Sequence, residues 1–351
     1  MVNKSPRQLA EVPPTWSIPQ QVEALSQALT GQGPALAFGP SRFDSVEPEV
    51  AIVIPTSGST GVAKEVALTA NALLNSARAS HQFLDAKAGE KWSLLLPTHH
   101  IAGVNVLVRA IALGSELVTS NFDYTSIVPT QLFRALHGDE KLLLALRKSK
   151  AVVVGGAAIP DHLLAEAMQA GINAVTSYGM SEMSGGCIYN GIPLQGVEVE
   201  IREQGRIALR GPMRATEYLG GSAPLADEAG WFVTSDSGEI VDGKLIVRGR
   251  IDDQIISGGE KISLGAIDEF LNGGGEYLFM SCAIVDPEWG QQLCLASSRG
   301  IDRVAVSRAL REKFGKHAVA KLFLENITLP LTTIGKPDRH SLSKKFEMIK
   351  S

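Results

Sequence analysis

Ala51-Ile52-Val53-Ile54-Pro55, followed by Thr56-Ser57-Gly58-Ser59-Thr60-Gly61-Val62-Ala63-Lys64, is the stretch on which the fold turns. The apolar run is too short for a helix and suits a buried strand, and it ends at a polar, glycine-bearing turn. Glycines let a backbone approach a bulky anion, while hydroxyls and exposed N–H groups donate to its oxygens. Lys64 adds a movable positive charge. The spacing is not that of a Walker loop, which needs a Gly-Lys-Ser/Thr ending that is absent here. Taken by itself, the turn reads equally well as an ordinary polar loop, because Gly and Ser are the commonest turn residues.

Outward from this turn, Asn71–Leu84 reads as a helix. Ser93–Leu96, Ala151–Val154 and Val175–Tyr178 read as further short strands, with helical stretches at Gln131–Leu136, Lys141–Arg147 and His162–Ala170. Strands alternating with helices predict an α/β domain with a largely parallel sheet. Upstream, Pro13, Pro14, Pro19, Pro34 and Pro40 surround one helical pattern at Val22–Leu29, as in a packed N-terminal extension. From about Gly196 the texture changes. Val197–Ile201, Arg206–Arg210, Gly230–Val233 and Lys244–Val247 alternate apolar and polar residues between glycines, which predicts a small antiparallel β unit. Beyond Arg250, Ile251–Ile256, the helix Leu264–Leu271, the strand Cys282–Val285 and the helix Val304–Phe314 suggest a compact α+β domain of about a hundred residues. The expected organisation is a large N-terminal α/β domain over 1–250 and a small, mobile C-terminal domain over 251–351.

Composition narrows the class. The 351 residues exceed what one core usually serves, with 44% hydrophobic and 20% charged residues as in a globular protein. A formal charge of −4 with scattered Lys and Arg argues against nucleic acid as a partner. Lys344, Lys345 and Lys350 read as a solvated face. Three cysteines, Cys187, Cys282 and Cys294, offer no zinc spacing and fit a reducing, cytoplasmic setting, with Cys187 read as packing or pocket lining. Met1–Val12 lacks the apolar core of a signal peptide, and Arg109 near the middle of apolar Ile101–Val118 favours a buried helix over membrane insertion.

Further motifs follow the glycine-bearing turn in a fixed order: Pro97-Thr98-His99-His100-Ile101-Ala102-Gly103, Gly155-Gly156-Ala157, Tyr178-Gly179-Met180-Ser181-Glu182, Thr234-Ser235-Asp236, the segment Arg248 to Ile262, and Pro330 through Gly335-Lys336 to Arg339. Together they resemble the adenylate-forming superfamily of acyl-CoA synthetases, peptide-synthetase adenylation domains and luciferases, over the chain from Thr56 to Arg339. The resemblance implies that fold, with ATP, CoA and Mg²⁺ as cofactors and a small carboxylic acid as substrate. It implies that Thr56, Ser57, Gly58, Ser59, Thr60, Gly61 and Lys64 grip phosphates, and that Gly156, Ala157, Tyr178, Gly179, Met180 and Ser181 surround adenine and the α-phosphate. It further implies that Glu182 holds Mg²⁺, Asp236 and Arg250 meet the nucleotide, and His100 lies near the acyl carboxylate. Gly258 and Gly259 would pass the pantetheine arm of CoA, Asp252 would be the hinge, and Lys336 the catalytic lysine. Each residue also has a plainer reading: His99 and His100 orienting their own loop, Glu182 pairing locally, Asp236 in a turn, Lys336 in a plain loop.

The chemistry explains the types. A carboxylate must attack the α-phosphorus of ATP, so negative charge meets negative charge, and cations with fixed donors must act where charge develops. Three departures from the family pattern stand out. Val62-Ala63 replace the residue–proline pair usual before the lysine, and Ser181 replaces the usual threonine while keeping the hydroxyl. The third is length: the chain is shorter than typical members ahead of Thr56, which implies an acyl pocket that is more open or completed by a partner subunit, and homo-oligomerisation stays open. Within the superfamily, Ser177–Gly196 and Val128-Pro129-Thr130-Gln131-Leu132 are similar to the short actinobacterial ligases that activate o-succinylbenzoate for menaquinone biosynthesis. That likeness implies that Ser184, Gly185 and Gly186 border the acyl pocket; no residue for the acid's second carboxylate is identified. A CoA ligase for another aromatic or fatty acid, and an inactive nucleotide-binding interaction module, are the competing readings.

Overall fold

A computed structural model describes residues 5–56, 64–221, 223–251, 253–257, 260–273, 278–287, 290–331 and 337–350. It divides into two compact units, residues 1–234 with 239–246, and residues 235–238 with 247–351.

The first unit is built on two mixed sheets. In one, the order is Glu217–Tyr218, Lys64–Thr69, Val50–Thr56, Ala35–Ala37, Arg7–Glu11, Ser45–Val46. Arg7–Glu11, Ala35–Ala37 and Val50–Thr56 run parallel, and the helix Ile18–Thr30 provides the crossover between the first two. The residues upstream of Thr56 are thus part of this sheet. The apolar run at Ala51 is its buried centre, as expected, but the next element differs from the sequence reading. No helix follows the turn directly; Lys64–Thr69 returns antiparallel to Val50–Thr56 before the helix Ala70–Leu84 begins. Lys-Glu-Val-Ala-Leu-Thr carries no alternation to reveal it, because Glu65 to Leu68 are all buried. Thr69 Oγ1 then accepts the Ala72 N–H at 3.1 Å and caps the helix.

The second sheet has the order Ile192–Pro193, Gly185–Tyr189, Ala174–Met180, Ala151–Gly155, Tyr124–Ile127, Trp92–Leu94. Its last four strands are parallel. Tyr124–Ile127 has no counterpart in the sequence reading, being short and bounded by neither glycine nor a clear alternation. Helices Ala70–Leu84 and Ile101–Leu113 lie between the two sheets. Leu73, Val104 and Leu107 join the core of the first, whereas Ala79, Val106 and Ala110 join that of the second. A helix buried on both sides must be apolar nearly all round, which is why Ile101–Leu113 looked almost like a membrane span. Among the described residues no helix is long and apolar enough to cross a membrane. On the outer face of the second sheet, Val152 and Val154 pack with Leu132, Leu146 and Leu163 from three further helices.

An antiparallel sheet follows, Glu198–Ile201, Arg206–Arg210, Phe232–Val241, Lys244–Arg250, and the chain passes from one unit to the other along its last two strands. In the second unit, Glu260–Ser263, Gln254–Ser257, Gly290–Ser297 and Phe279–Asp286 pair antiparallel, and Leu322–Leu324 adds in parallel beside Gly290–Ser297. Side chains alternate along Phe279–Asp286. Phe279 packs with Ile267 and Leu310 on one face, while Met280, Cys282 and Ile284 meet Leu342 and Phe346 of the C-terminal helix Arg339–Lys350 on the other. Lys344 and Lys345 stay exposed on that helix, as the sequence suggested.

Candidate active site

Three of the expected site segments, and Val128 of the ligase-like stretch, stand at the carboxyl ends of the four parallel strands. Pro97–His100 follows Trp92–Leu94, Val128 follows Tyr124–Ile127, Gly155-Gly156-Ala157 closes Ala151–Gly155, and Tyr178 to Glu182 leave Ala174–Met180. In a parallel sheet this edge is where ligands bind, because loops there open a crevice lined by helix N-termini. Gly156 and Ala157 are exposed, Tyr178, Met180, Ser181 and Glu182 half-buried, and Gly179 exposed.

Close backbone packing shapes two of these loops. A Cβ on Gly103 would sit 2.2 Å from the Pro97 carbonyl oxygen, so only glycine lets the helix Ile101–Leu113 return against the His99-His100 turn. His100 occupies the N-cap of that helix in extended conformation, half-buried, with its ring 4.1 Å from that of exposed His99. At Gly179 a Cβ would meet the Gly185 carbonyl oxygen at 1.9 Å, and Gly179 pairs directly with Gly186. The Tyr178–Glu182 turn is thereby locked onto Ser184-Gly185-Gly186.

Ser184 has left-handed backbone and is fully buried. Its N–H donates to Ser181 O at 3.1 Å and its hydroxyl to Met213 O at 2.7 Å, while its carbonyl accepts from Ser76 Oγ and, at 2.6 Å, from Asn105 Nδ2. Ser184 therefore holds the turn in place and turns its polar groups inward; Gly185 is buried in the pairing with Met180, and Gly186 is half-buried.

Glu182 meets a residue that the sequence reading did not single out. Tyr218 Oη donates to Glu182 Oε1 at 2.7 Å, and burial together with the Glu182 charge pushes the phenol pKa up. Lys64 Nζ lies 4.7 Å from the centre of the same tyrosine ring, a cation–π distance. Thr56 pairs with Lys64 and its hydroxyl donates to Lys64 O at 3.2 Å, so the two ends of the segment expected to grip phosphates are tied. Ser57, Gly58, Ser59, Thr60 and Gly61 themselves lie outside the described residues. Among the described residues no group of three or more His, Cys, Asp or Glu could cage a metal ion. A single carboxylate suits Mg²⁺, which keeps waters and takes one or two carboxylates beside substrate phosphates.

A second unforeseen residue is Arg109, only 3% exposed. Nη1 donates to Ser126 Oγ at 3.1 Å and Nη2 to Tyr189 Oη at 2.8 Å, and the guanidinium lies 5.2 Å from the Trp92 ring. Among the described residues it forms no ion pair, and its Nε is buried without a hydrogen-bond partner. Burial and the Arg109 charge hold His81 down at about 4. Ile101, Asn105 and Arg109 follow one another at a spacing of four along one helix face. That spacing within an apolar run was the available signal. Cys187 is buried and its thiol is pushed up to about 12, which leaves it as packing.

The remaining expected residues belong to the second unit. Asp236 is half-buried on Phe232–Val241, and Arg250 is exposed at the end of Lys244–Arg250. Asp252, Gly258, Gly259 and Lys336 lie outside the described residues. The residues flanking Lys336 are nonetheless anchored. Leu331 bridges to Pro337, Asp338 N–H donates to Pro330 O at 2.9 Å, and Arg339 Nη2 contacts Asp268 Oδ2 at 2.6 Å. Arg339 Nη1 also lies 3.5 Å from Asp253 Oδ2. Asp268 accepts the Ser281 N–H at 2.6 Å, and burial, outweighing Arg339, raises its pKa to about 6.

Residues 8–219 match the model of the family described as AMP-binding enzyme. A Mycobacterium tuberculosis protein named "Probable 2-succinylbenzoate--CoA ligase" is 36% identical over 370 aligned positions, covering 92% of this chain and 94% of that protein. The Lactococcus lactis "2-succinylbenzoate--CoA ligase" is 30% identical over 338 positions, covering 85% of this chain and 72% of that protein. Among solved structures, O-succinylbenzoate Coenzyme A Synthetase from Bacillus subtilis in complex with AMP aligns with a TM-score of 0.75 at 23% identity, covering 87% of this chain and 72% of that one, a likeness of fold.

Proposed function

The chain belongs to the AMP-binding enzyme family, and we propose that it is an ATP-dependent acid–CoA ligase acting on 2-succinylbenzoate. The observation that carries this reading is a relative of that name matched along nearly the whole of both chains. The placement of Gly155-Gly156-Ala157 and Tyr178–Glu182 side by side at the carboxyl ends of neighbouring parallel strands supports it.

The reaction has two steps. A carboxylate oxygen of the acid attacks the α-phosphorus of ATP, the bond to the bridging oxygen of pyrophosphate breaks, and an acyl-adenylate forms. The CoA thiol then attacks the acyl carbon, loses its proton, and AMP leaves with its electron pair. Tyr178 stacks the adenine beside Gly156 and Ala157, and the Thr56–Lys64 segment receives the departing pyrophosphate. His100, at the helix N-cap, orients the attacking carboxylate. Glu182 would hold Mg²⁺, which would supply neutralisation of phosphate charge. Asp236 takes the ribose hydroxyls and Arg250 the nucleotide. Lys336 stabilises the charge that develops during adenylation, Gly258 and Gly259 line the thiol's path, and Asp252 is the pivot between these two uses of one unit.

The acid's second carboxylate is assigned to Arg109. A buried guanidinium without a carboxylate partner among the described residues has a strong demand for an anion, and it lies on the helix that His100 begins. The unpaired cysteines fit a cytoplasmic enzyme. Pyrophosphate release and thioester formation with a panel of acids test the reading. 2-Succinylbenzoate should far exceed benzoate, acetate and a long-chain fatty acid, and Arg109→Ala should cost about 100-fold in kcat/KM for it, as loss of a charged hydrogen bond does. Equal turnover of benzoate by the native protein would remove the substrate assignment and leave the ligase.

A further inference from the structure

Tyr218 touches two groups that adenylation needs, and nothing in the motif pattern points to it. It sits on the two-residue strand Glu217–Tyr218, where it pairs with Val66 in register. Lys64 is the residue two places before Val66, so on an antiparallel pair it is the diagonal neighbour on the same face. That explains why the Lys64 ammonium lies over the tyrosine ring at 4.7 Å. The opposite anchor comes from the segment that precedes Tyr218. Ala215 N–H donates to Glu182 O at 2.8 Å, and Thr216 N–H to Ala67 O at 3.1 Å, so residues 215–218 bridge the Glu182 turn to the strand leaving the phosphate loop. At the end of this bridge the phenol donates to Glu182 Oε1 at 2.7 Å. Among the described residues this is the one hydrogen bond to that carboxylate.

We propose that Tyr218 is a positioning residue for nucleotide activation: its hydroxyl orients Glu182, and its ring face holds Lys64. This rests on Glu182 serving Mg²⁺ in the proposed reaction. The two contacts use different parts of one side chain, which makes them separable. The hydroxyl donates to Oε1 and so limits the rotation of the carboxylate, and Oε2 would be the oxygen open to a cation. The ring offers Lys64 an attractive surface that does not neutralise it, so the ammonium remains available to phosphate oxygens. A carboxylate at this place would pair with Lys64 and compete with the nucleotide; an aromatic ring does not.

Tyr218→Phe and Tyr218→Leu in the full chain separate the two roles, with ATP–pyrophosphate exchange followed as a function of Mg²⁺. Tyr218→Phe removes the hydroxyl and keeps the ring. The Mg²⁺ concentration for half-maximal exchange should rise about tenfold, the scale of one hydrogen bond to a charged group, with a smaller fall in rate at saturating Mg²⁺. Tyr218→Leu removes both contacts and should also weaken ATP binding measured in EDTA, where no metal contributes, while Tyr218→Phe should leave that binding unchanged. An unshifted Mg²⁺ requirement in Tyr218→Phe, beside a shifted one in Glu182→Gln, would overturn the role of Tyr218 alone. An unshifted requirement in Glu182→Gln would instead overturn the assignment of Glu182. If Tyr218→Phe lowered exchange, EDTA binding and the melting temperature together, the residue would be structural and the proposal would fall.

Discussion

The two units hold the residues of the proposed site in different ways. In the first, Glu182, Tyr178 and Gly156 stand at the ends of parallel strands, and backbone contact sets the loops, as at Gly179 against Gly185. In the second, the described residues on either side of Lys336 are joined by the Leu331–Pro337 bridge and the Asp338 N–H to Pro330 O bond, and the Arg339 side chain ties them to Asp268 and Asp253. A sheet edge built from backbone hydrogen bonds resists displacement, because moving one loop disturbs its paired neighbour. The contacts beside Lys336 are few and local, and they join its flanks to one helix of the unit and to the residue preceding one strand. On the proposed reaction, the first arrangement suits a nucleotide pocket used in both steps, and the second a group used in one.

The largest expected effect separates the steps. Lys336→Ala should slow acyl-adenylate formation by roughly 10²- to 10³-fold, the cost of removing one donor from developing charge. Conversion of preformed acyl-adenylate and CoA to thioester should persist. Similar losses in both half-reactions would mean that the second unit's lysine is a fixed part of the site, like the groups of the first unit, and the contrast would disappear.

Gly179→Ala probes the opposite side. Its Cβ would meet a carbonyl oxygen at 1.9 Å in paired strands that cannot move independently. Overpacking of this kind costs about 3 kcal/mol, so denaturant unfolding should shift and both half-reactions should fall in parallel. A variant of native stability would show that the edge is softer than its pairing implies.

The smallest effect concerns pH. The Asp268 pKa stands at about 6 in the folded chain against an ordinary 3.8. Between about pH 4 and 6 the folded protein keeps a proton that the unfolded chain has released. Stability from this group is therefore complete below that window and is lost as pH rises through it, by at most about 3 kcal/mol. Asp268→Asn cannot titrate and should flatten the decline, read as the difference between the two proteins in unfolding free energy across that window. Identical pH profiles would show that the buried carboxylate stays ionised and that the frame around Lys336 is tighter than its burial suggests.

Much of the molecule was legible in the sequence. The runs Ala51–Ile54 and Ala151–Val154 announce themselves because they are continuously apolar and buried throughout, and Glu198–Ile201 because its side chains alternate in exposure. The order of motifs from Thr56 to Arg339 resembles the family's closely enough to place the chain in it, as the family match over residues 8–219 bears out. The strand Lys64–Thr69 was not legible, because burial on both faces erases alternation and leaves a short run without a signature. Tyr124–Ile127 escaped for a similar reason. Tertiary structure alone decided that Tyr218, 36 residues from Glu182, shares a hydrogen bond with it. It likewise decided that Arg109 lies buried against Tyr189 and Ser126, and that Ser184 spends its hydroxyl on Met213 instead of a ligand. Contacts between distant residues depend on which strands become neighbours and in what register, and a local pattern carries no record of either. The sequence determines which groups the chemistry can use; the packing of sheets and helices decides which of them meet.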